Sequence, residues 1–401
     1  MNVAYKNMRK GTRRSTTSSI QIITSLGLVT IIASIFSSQT DAQAGSSSSE
    51  AVFTDNYVVS KISNSTDFAP MDWSRNGKFV VGGNSTHILS LDVQTRTLTE
   101  LLVSNKTYPL SSSGGKEVKF ESISIVKLSY FDKQLLFRAT GYIDDIQVDE
   151  LFIHDIPNLH LRKITNNHEH LDTSIILSAT WMPDGNIALI ENEYFYSEDS
   201  NGEMVVEGIP SLWIADTDGN KQRELLSGKD WGGSGIPDVT DDGKKIAFFH
   251  EQVFGHIFNR ADSLRVYDIE SGELEYVNHN IADCANHLPQ WSPNNELILF
   301  QTHGCDRGAP FQNIEVVSID GTFHEKVIQY DALSLSSSPV VSPDGNHLMF
   351  AKSGGYGDTE NSGVYLLELA HPMPEFGSLA MFVIVISMIG ATLTASRFMR
   401  R

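Results

Sequence analysis

Between residues 57 and 369 the chain alternates short apolar runs with polar segments rich in Asp, Asn, Gly and Pro. The runs at 79–81, 187–190, 246–249, 297–300 and 348–350 each follow directly on a turn segment. Those segments are Met71-Asp72-Trp73-Ser74-Arg75-Asn76-Gly77, Ala179-Thr180-Trp181-Met182-Pro183-Asp184-Gly185, Pro237-Asp238-Val239-Thr240-Asp241-Asp242-Gly243, Pro289-Gln290-Trp291-Ser292-Pro293-Asn294-Asn295 and Pro339-Val340-Val341-Ser342-Pro343-Asp344-Gly345. Asp-Gly and Asn-Gly tolerate the positive φ of a tight turn, and a preceding Pro fixes φ one step earlier. Each segment therefore reads as a β-hairpin joining two neighbouring strands. A weaker sixth copy runs through 123–128, with its turn at Phe131-Asp132-Lys133 and a second strand at 135–137.

Past each hairpin comes a second pair of apolar runs: 88–91 with 98–101, 151–153 with 161–164, 212–215 with 223–226, 264–267 with 274–277, and 314–319 with 324–328. Four strands per repeat and six repeats predict an all-β fold, a six-bladed β-propeller. The last repeat stops after its third strand at 364–367. Residues 58–63 match the ending of an outer strand and are expected to complete the sixth blade, closing the ring without an open sheet edge. The repeat resembles the TolB-type, WD-repeat-like propeller family, whose copies read P-x-W-S-P-D-G before an apolar strand. The resemblance covers residues 57–369; Asn294-Asn295 and the eroded second copy depart from it.

The two ends predict a different environment. Lys6, Arg9, Lys10, Arg13 and Arg14 precede an apolar run at 20–36 and the small-x-small site Ala42-Gln43-Ala44, so residues 1–44 read as a signal peptide. Residues 45–56 read as a flexible leader. Residues 378–396 form an uncharged apolar stretch before Arg397, Arg400 and Arg401, expected to be a transmembrane helix with a cytoplasmic basic tail, 397–401. The linker 370–377 holds Pro374-Glu375-Phe376-Gly377. This order of tetrapeptide, helix and basic tail resembles the PEFG-CTERM sorting signal of ammonia-oxidising archaea. That resemblance implies an archaeosortase-like processing enzyme and a helix either retained or exchanged for a lipid. Both routes give an exported protein anchored to the outer face of the cell membrane.

Charge narrows the partners. The chain carries 30 Lys and Arg against 49 Asp and Glu; without the five and one of residues 1–44 and the three Arg after 378, the exported part keeps 22 against 48, a net of −26. Such a surface repels phosphate backbones, so no nucleic acid is expected. Asn64, Asn84 and Asn105 begin sequons and are glycosylation candidates. Cys284 and Cys305, the only cysteines, fall opposite each other if the fifth hairpin keeps one register, and export permits a disulfide between them.

No G-x-S-x-G, P-loop, dinucleotide fingerprint or H-E-x-x-H is present, and no catalytic residue or cofactor is assigned. Asp216–Asn220 resembles a calcium loop but lies where the repeat requires a turn. The loops opposite the Asp-Gly turns, 192–208, 251–262, 301–312 and 353–362, are longer and dissimilar, the usual place for recognition on a rigid ring. Tyr194, Tyr196, Glu198, Asp199, His250, His256, His303 and Tyr356 are the candidate binding residues there. Seven of the thirteen histidines, among them His168, His170, His279 and His287, fall on this side. They read as solvated loop residues or, with the acidic side chains, as a metal-dependent site of lactonase or lyase type. The leading expectation is a protein- or ligand-binding scaffold rather than an enzyme.

Overall fold

The computed structural model describes residues 52–53, 57–111, 115–167, 174–198, 204–228, 233–252, 260–278, 284–285, 288–303, 312–330, 337, 339–352 and 362–369. The expected signal peptide, sorting motif and membrane helix lie outside these residues. Among those described, no helix is long and apolar enough to cross a membrane.

In chain order the strands are β1 (Val52–Phe53) and β2 (Tyr57–Ser63), then β3 (Ala69–Trp73), β4 (Phe79–Asn84), β5 (His87–Asp92) and β6 (Leu98–Val103) of the first blade. The second blade holds β7 (Thr107–Pro109), β8 (Glu117–Leu128), β9 (Gln134–Ile143), β10 (Ile146–Asp155) and β11 (His160–Lys163). The third holds β12 (Ser174–Trp181), β13 (Ile187–Glu198), β14 (Met204–Ala215) and β15 (Lys221–Ser227). The fourth holds β16 (Gly233–Val239), β17 (Lys245–Gln252), β18 (Arg260–Asp268) and β19 (Leu274–Asn278). In the fifth, the inner strand is split into β20 (Cys284–Ala285) and β21 (Gln290–Trp291), followed by β22 (Leu297–His303), β23 (Gln312–Ser318) and β24 (His324–Tyr330). The sixth runs β25 (Val340–Val341), β26 (His347–Lys352) and β27 (Gly363–Leu369).

Six antiparallel sheets result, one per repeat, and the chain closes as the sequence predicts. β2 pairs with β27 from Tyr57 opposite Leu369 to Ser63 opposite Val364, supplying the fourth strand of the last blade. Within the stretch read as a leader, Val52 and Phe53 pair with Gln329 and Ile328 and add an outermost strand to the fifth blade.

Each blade is buried on both faces, which explains why its second strand is apolar throughout rather than alternating. In the fifth blade Leu297 and Leu299 pack toward Leu348 and Phe350 of the sixth, while Ile298 and Phe300 pack toward Ala247 and Phe249 of the fourth. Equivalent clusters join blades one and two, two and three, three and four, and six and one. The six clusters form a closed cycle of blade-to-blade contacts, the defining feature of a propeller ring. Each fully buried Phe or Leu contributes about 1.5–3 kcal/mol.

The inner hairpin turns share one hydrogen-bond device. Ser74, Ser292 and Ser342 donate to the Asn or Asp two residues on and accept the backbone N–H five residues on. Thr240 does the same with Asp242 and Lys245. The Gly position needs positive φ, and in the two copies without Gly it is taken by Asp132 (φ 57) and Asn295 (φ 61). Asp216–Asn220 is the turn between β14 and β15, with the Asp216 carboxylate accepting N–H groups of Asp218 and Asn220.

Candidate functional site

The ring encloses a channel lined by the first strand of each blade. These strands end together in the hairpin turns, so the turns gather around one mouth. Arg75 and Asn76 of the first turn donate backbone N–H groups to the Asp132 carboxylate of the second. Asp241 N of the fourth turn donates to Asn295 Oδ1 of the fifth. Across this mouth the Arg75 guanidinium bonds the Asp241 carboxylate, joining blades that stand opposite one another. The repeat has Pro at this position in blades three, five and six; Arg75, Tyr130 and Asp241 replace it in the others. The three replacements pack together, with the guanidinium 5.1 Å from the Tyr130 ring centroid.

One layer deeper lies a ring of six equivalent residues, each two positions before the turn Ser, Thr or Met: Asp72, Lys127, Thr180, Asp238, Gln290 and Val340. Three of them bond to the next blade's inner strand. Asp72 Oδ2 accepts from Leu128 N at 2.7 Å, Asp238 Oδ2 from Trp291 N at 2.8 Å, and Gln290 Oε1 from Val341 N at 3.2 Å. Lys127, its side chain 9% exposed, reaches across to Asp238 Oδ1 at 3.6 Å. Burial pushes the Asp72 carboxyl above the ordinary carboxylate range, against the opposing pull of Lys127, the Leu128 N–H and Arg75.

That shift has a sign. The folded state holds the Asp72 proton at pH values where the unfolded chain has lost it, so stability falls as pH rises above the ordinary carboxylate pKa. Asp72→Asn removes this penalty while keeping an acceptor for Leu128 N. The variant is expected to melt higher than wild type at pH 7, with the difference shrinking toward about pH 3, where the wild-type carboxyl is largely protonated in both states. Melting curves against pH would show it; a lower melting temperature at pH 7 would mean that Lys127 needs the Asp72 charge.

Beyond the polar layer the channel widens into an apolar cavity of about 320 Å³ on the side away from the turns. Its walls include Pro70, Met71, Ile125, Ile236 and Leu288, and its polar groups are Lys127, Gln290 and Ser337. The widening has a backbone cause. The inner strands of blades one to five each slip register at this depth: between Pro70 and Asp72, Ser124 and Val126, Ile176 and Ser178, Ser234 and Asp238, and Ala285 and Gln290. A bulge bends its strand and re-aims the extra side chain. In four blades the bulged residue is a wall of the cavity: Met71, Ile125, Ile236 and Leu288. Ile125 sits at φ 53, a costly conformation for a β-branched residue that the surrounding sheet must enforce.

The sequence-predicted candidates lie elsewhere. The 192–208 segment is not a loop over most of its length, because β13 and β14 continue as a ladder to Glu198 opposite Met204. The aromatic run Tyr194-Phe195-Tyr196 has strand propensity, and its alternation was the available signal. Tyr194 is half-buried and its ring lies 3.5 Å from where a side chain on Gly208 would begin; Phe195 is exposed. The backbones of Tyr196 and Glu198 continue that strand, His250 pairs with Gly233 and Ser263, and His303 pairs with Gln312. Asp199, His256 and Tyr356 fall outside the described residues. Among those described, no group of three or more His, Cys, Asp or Glu is placed to hold a metal ion.

The direct opposition expected for the cysteines is corrected. Cys284 faces His303, because the fifth-blade bulge places two extra residues on the inner strand between Ala285 and Gln290. Cys305 lies outside the described residues. Of the sequon residues, Asn64 and Asn105 are exposed, whereas Asn84 is half-buried, its amide donating to Asp67 and accepting from Thr86 and His87.

No protein-family model matches the chain, and no curated protein matches it. Solved structures similar to it include a putative TolB from Agrobacterium tumefaciens, at 13% identity over 75% of this chain and 89% of that one, with a TM-score of 0.45. A calcium-binding regucalcin from the same species is similar at 14% identity over 79% and 93%, with a TM-score of 0.46. The WD40 repeats of RRP9 are similar at 7% identity over 80% and 100%, with a TM-score of 0.44.

Proposed function

We propose that this protein is a binding propeller whose ligand is a small molecule held in the central channel, entered from the side opposite the hairpin turns. The carrying observation is the cavity of about 320 Å³ walled by bulged apolar residues. Pockets of this size and lining, with a few convergent polar groups, are the usual form of a small-molecule site. At the other end the Arg75–Asp241 pair bridges the mouth, which favours entry from one side. On this reading residues 1–44 direct export, and 378–396 tether the ring to the outer face of the membrane, directly or after processing at Pro374–Gly377. The extended strands β13 and β14 then offer a second surface, where a partner protein docks.

The test uses prodan, a neutral naphthyl ketone whose emission shifts to the blue in apolar surroundings, with the full-length protein in amphipol. Wild type is expected to shift the emission saturably, and Ile236→Trp, which fills the cavity, to lose that increment while keeping its circular dichroism spectrum. The same amphipol background is present in both. Equal prodan binding by a folded Ile236→Trp protein would place the ligand site outside the channel.

A further inference from the structure

The floor of the cavity makes a more specific demand than its walls. Gln290 commits its side-chain oxygen to Val341 N, which leaves Nε2 as a donor with no partner among the described residues. Lys127 is buried, yet its one ionic partner among the described residues, Asp238 Oδ1, stands at 3.6 Å, beyond hydrogen-bond reach. An ammonium carries three donors, and those of Lys127 face the cavity it lines. The nearby carboxylates are not part of the cavity's lining: Asp72 takes N–H groups from Trp73 and Leu128, and Asp238 takes Trp291 N on Oδ2 while its Oδ1 faces Lys127. The floor therefore offers donors to whatever enters and has few free acceptors to give.

Charge restricts the head group further. Asp72, Asp132, Asp238 and Asp241 stand against Lys127 and Arg75, so the channel and its turn-side mouth carry two negative charges in excess when all six are ionised. An anionic head would add to them in poorly solvated surroundings, where like charges repel strongly. A cationic head would meet Lys127 at the floor and bring donors to a place that already lacks acceptors.

Resting on the channel reading, we infer that the ligand is an uncharged molecule with an apolar body and a carbonyl head, the carbonyl oxygen accepting from Lys127 Nζ and Gln290 Nε2. The upward pull that burial exerts on Asp72 agrees with this, since the layer already resists negative charge.

The experiment is a displacement series on prodan-loaded full-length protein, with three compounds sharing one body: cyclohexyl methyl ketone, cyclohexanecarboxylate and cyclohexylammonium. The ketone is expected to displace prodan at concentrations about tenfold lower than either ion, because a site built to hydrogen-bond one group rejects analogues that mismatch it. The Lys127→Met, Asp238→Asn double variant removes the donor together with its ionic partner and keeps an acceptor for Trp291 N. It is expected to weaken ketone displacement severalfold. Stronger displacement by the carboxylate or the ammonium would overturn the inference while leaving the channel reading intact. Prodan binding that survives Ile236→Trp would overturn the channel reading itself. If the double variant does not fold, the wild-type series alone decides.

Discussion

Removal of residues 57–63 is expected to leave a protein that aggregates or unfolds without a cooperative transition. These residues form β2, and their loss strips one full strand ladder from β27. Ile62 is buried against Val340, Met349 and Val364 of the sixth blade and Trp73 of the first, so the deletion also opens the cluster that seals the ring. One buried Ile contributes about 1.5–3 kcal/mol, and each lost ladder hydrogen bond about 0.5–1.5 kcal/mol. Their sum approaches the whole stability of a typical domain, about 5–15 kcal/mol. The freed edge of β27 would in addition be a template for pairing with another chain. Thermal unfolding followed by circular dichroism, with size-exclusion chromatography at low temperature, reads both effects. A deletion protein with an unchanged melting curve would show that the ring does not depend on this strand.

Asp238→Ala is expected to be the most damaging single substitution of a charged residue in the channel. It removes the acceptor for Trp291 N and leaves Lys127 buried without its ionic partner. Breaking a buried ion pair from one side costs about 3–5 kcal/mol. Arg75→Ala is the internal control. It breaks an ion pair too, but Arg75 and Asp241 are 42% and 32% exposed, and water replaces most of what is lost. Exposed pairs contribute about 0–1 kcal/mol. Chemical denaturation of the two variants side by side should therefore separate them clearly. Comparable losses would mean that the Arg75–Asp241 bridge holds opposite blades together more strongly than its exposure suggests.

The hairpin turns, the apolar second strands and the closing strand β2 were legible in the sequence because each depends on local chemistry. A Ser followed by Asp-Gly specifies its own turn through bonds that span at most five residues, as Ser342 shows. A strand buried on both faces must be apolar throughout, as 297–300 is. Residues 58–63 could be assigned to the sixth blade because a propeller repeat short by one strand has one vacancy to fill.

The channel could not be read this way. Arg75 and Asp241 are 166 positions apart and meet only because a six-membered ring sets blades one and four face to face. Their shared departure from Pro was visible, but no sequence rule says that two such departures touch. The bulges escaped for a different reason. Ile125, Ile236 and Leu288 precede Lys127, Asp238 and Gln290 by two residues, but Met71 precedes Asp72 by one, and nothing in the local sequence says that the residue at this spacing is bulged. The same irregularity defeated the cysteine register, which assumed an unbroken ladder through the fifth inner strand. Local sequence determined which residues form strands and turns and in what order the blades follow. Ring closure decided which side chains meet across the channel, because that depends on rigid-body placement of six sheets and not on any neighbour along the chain.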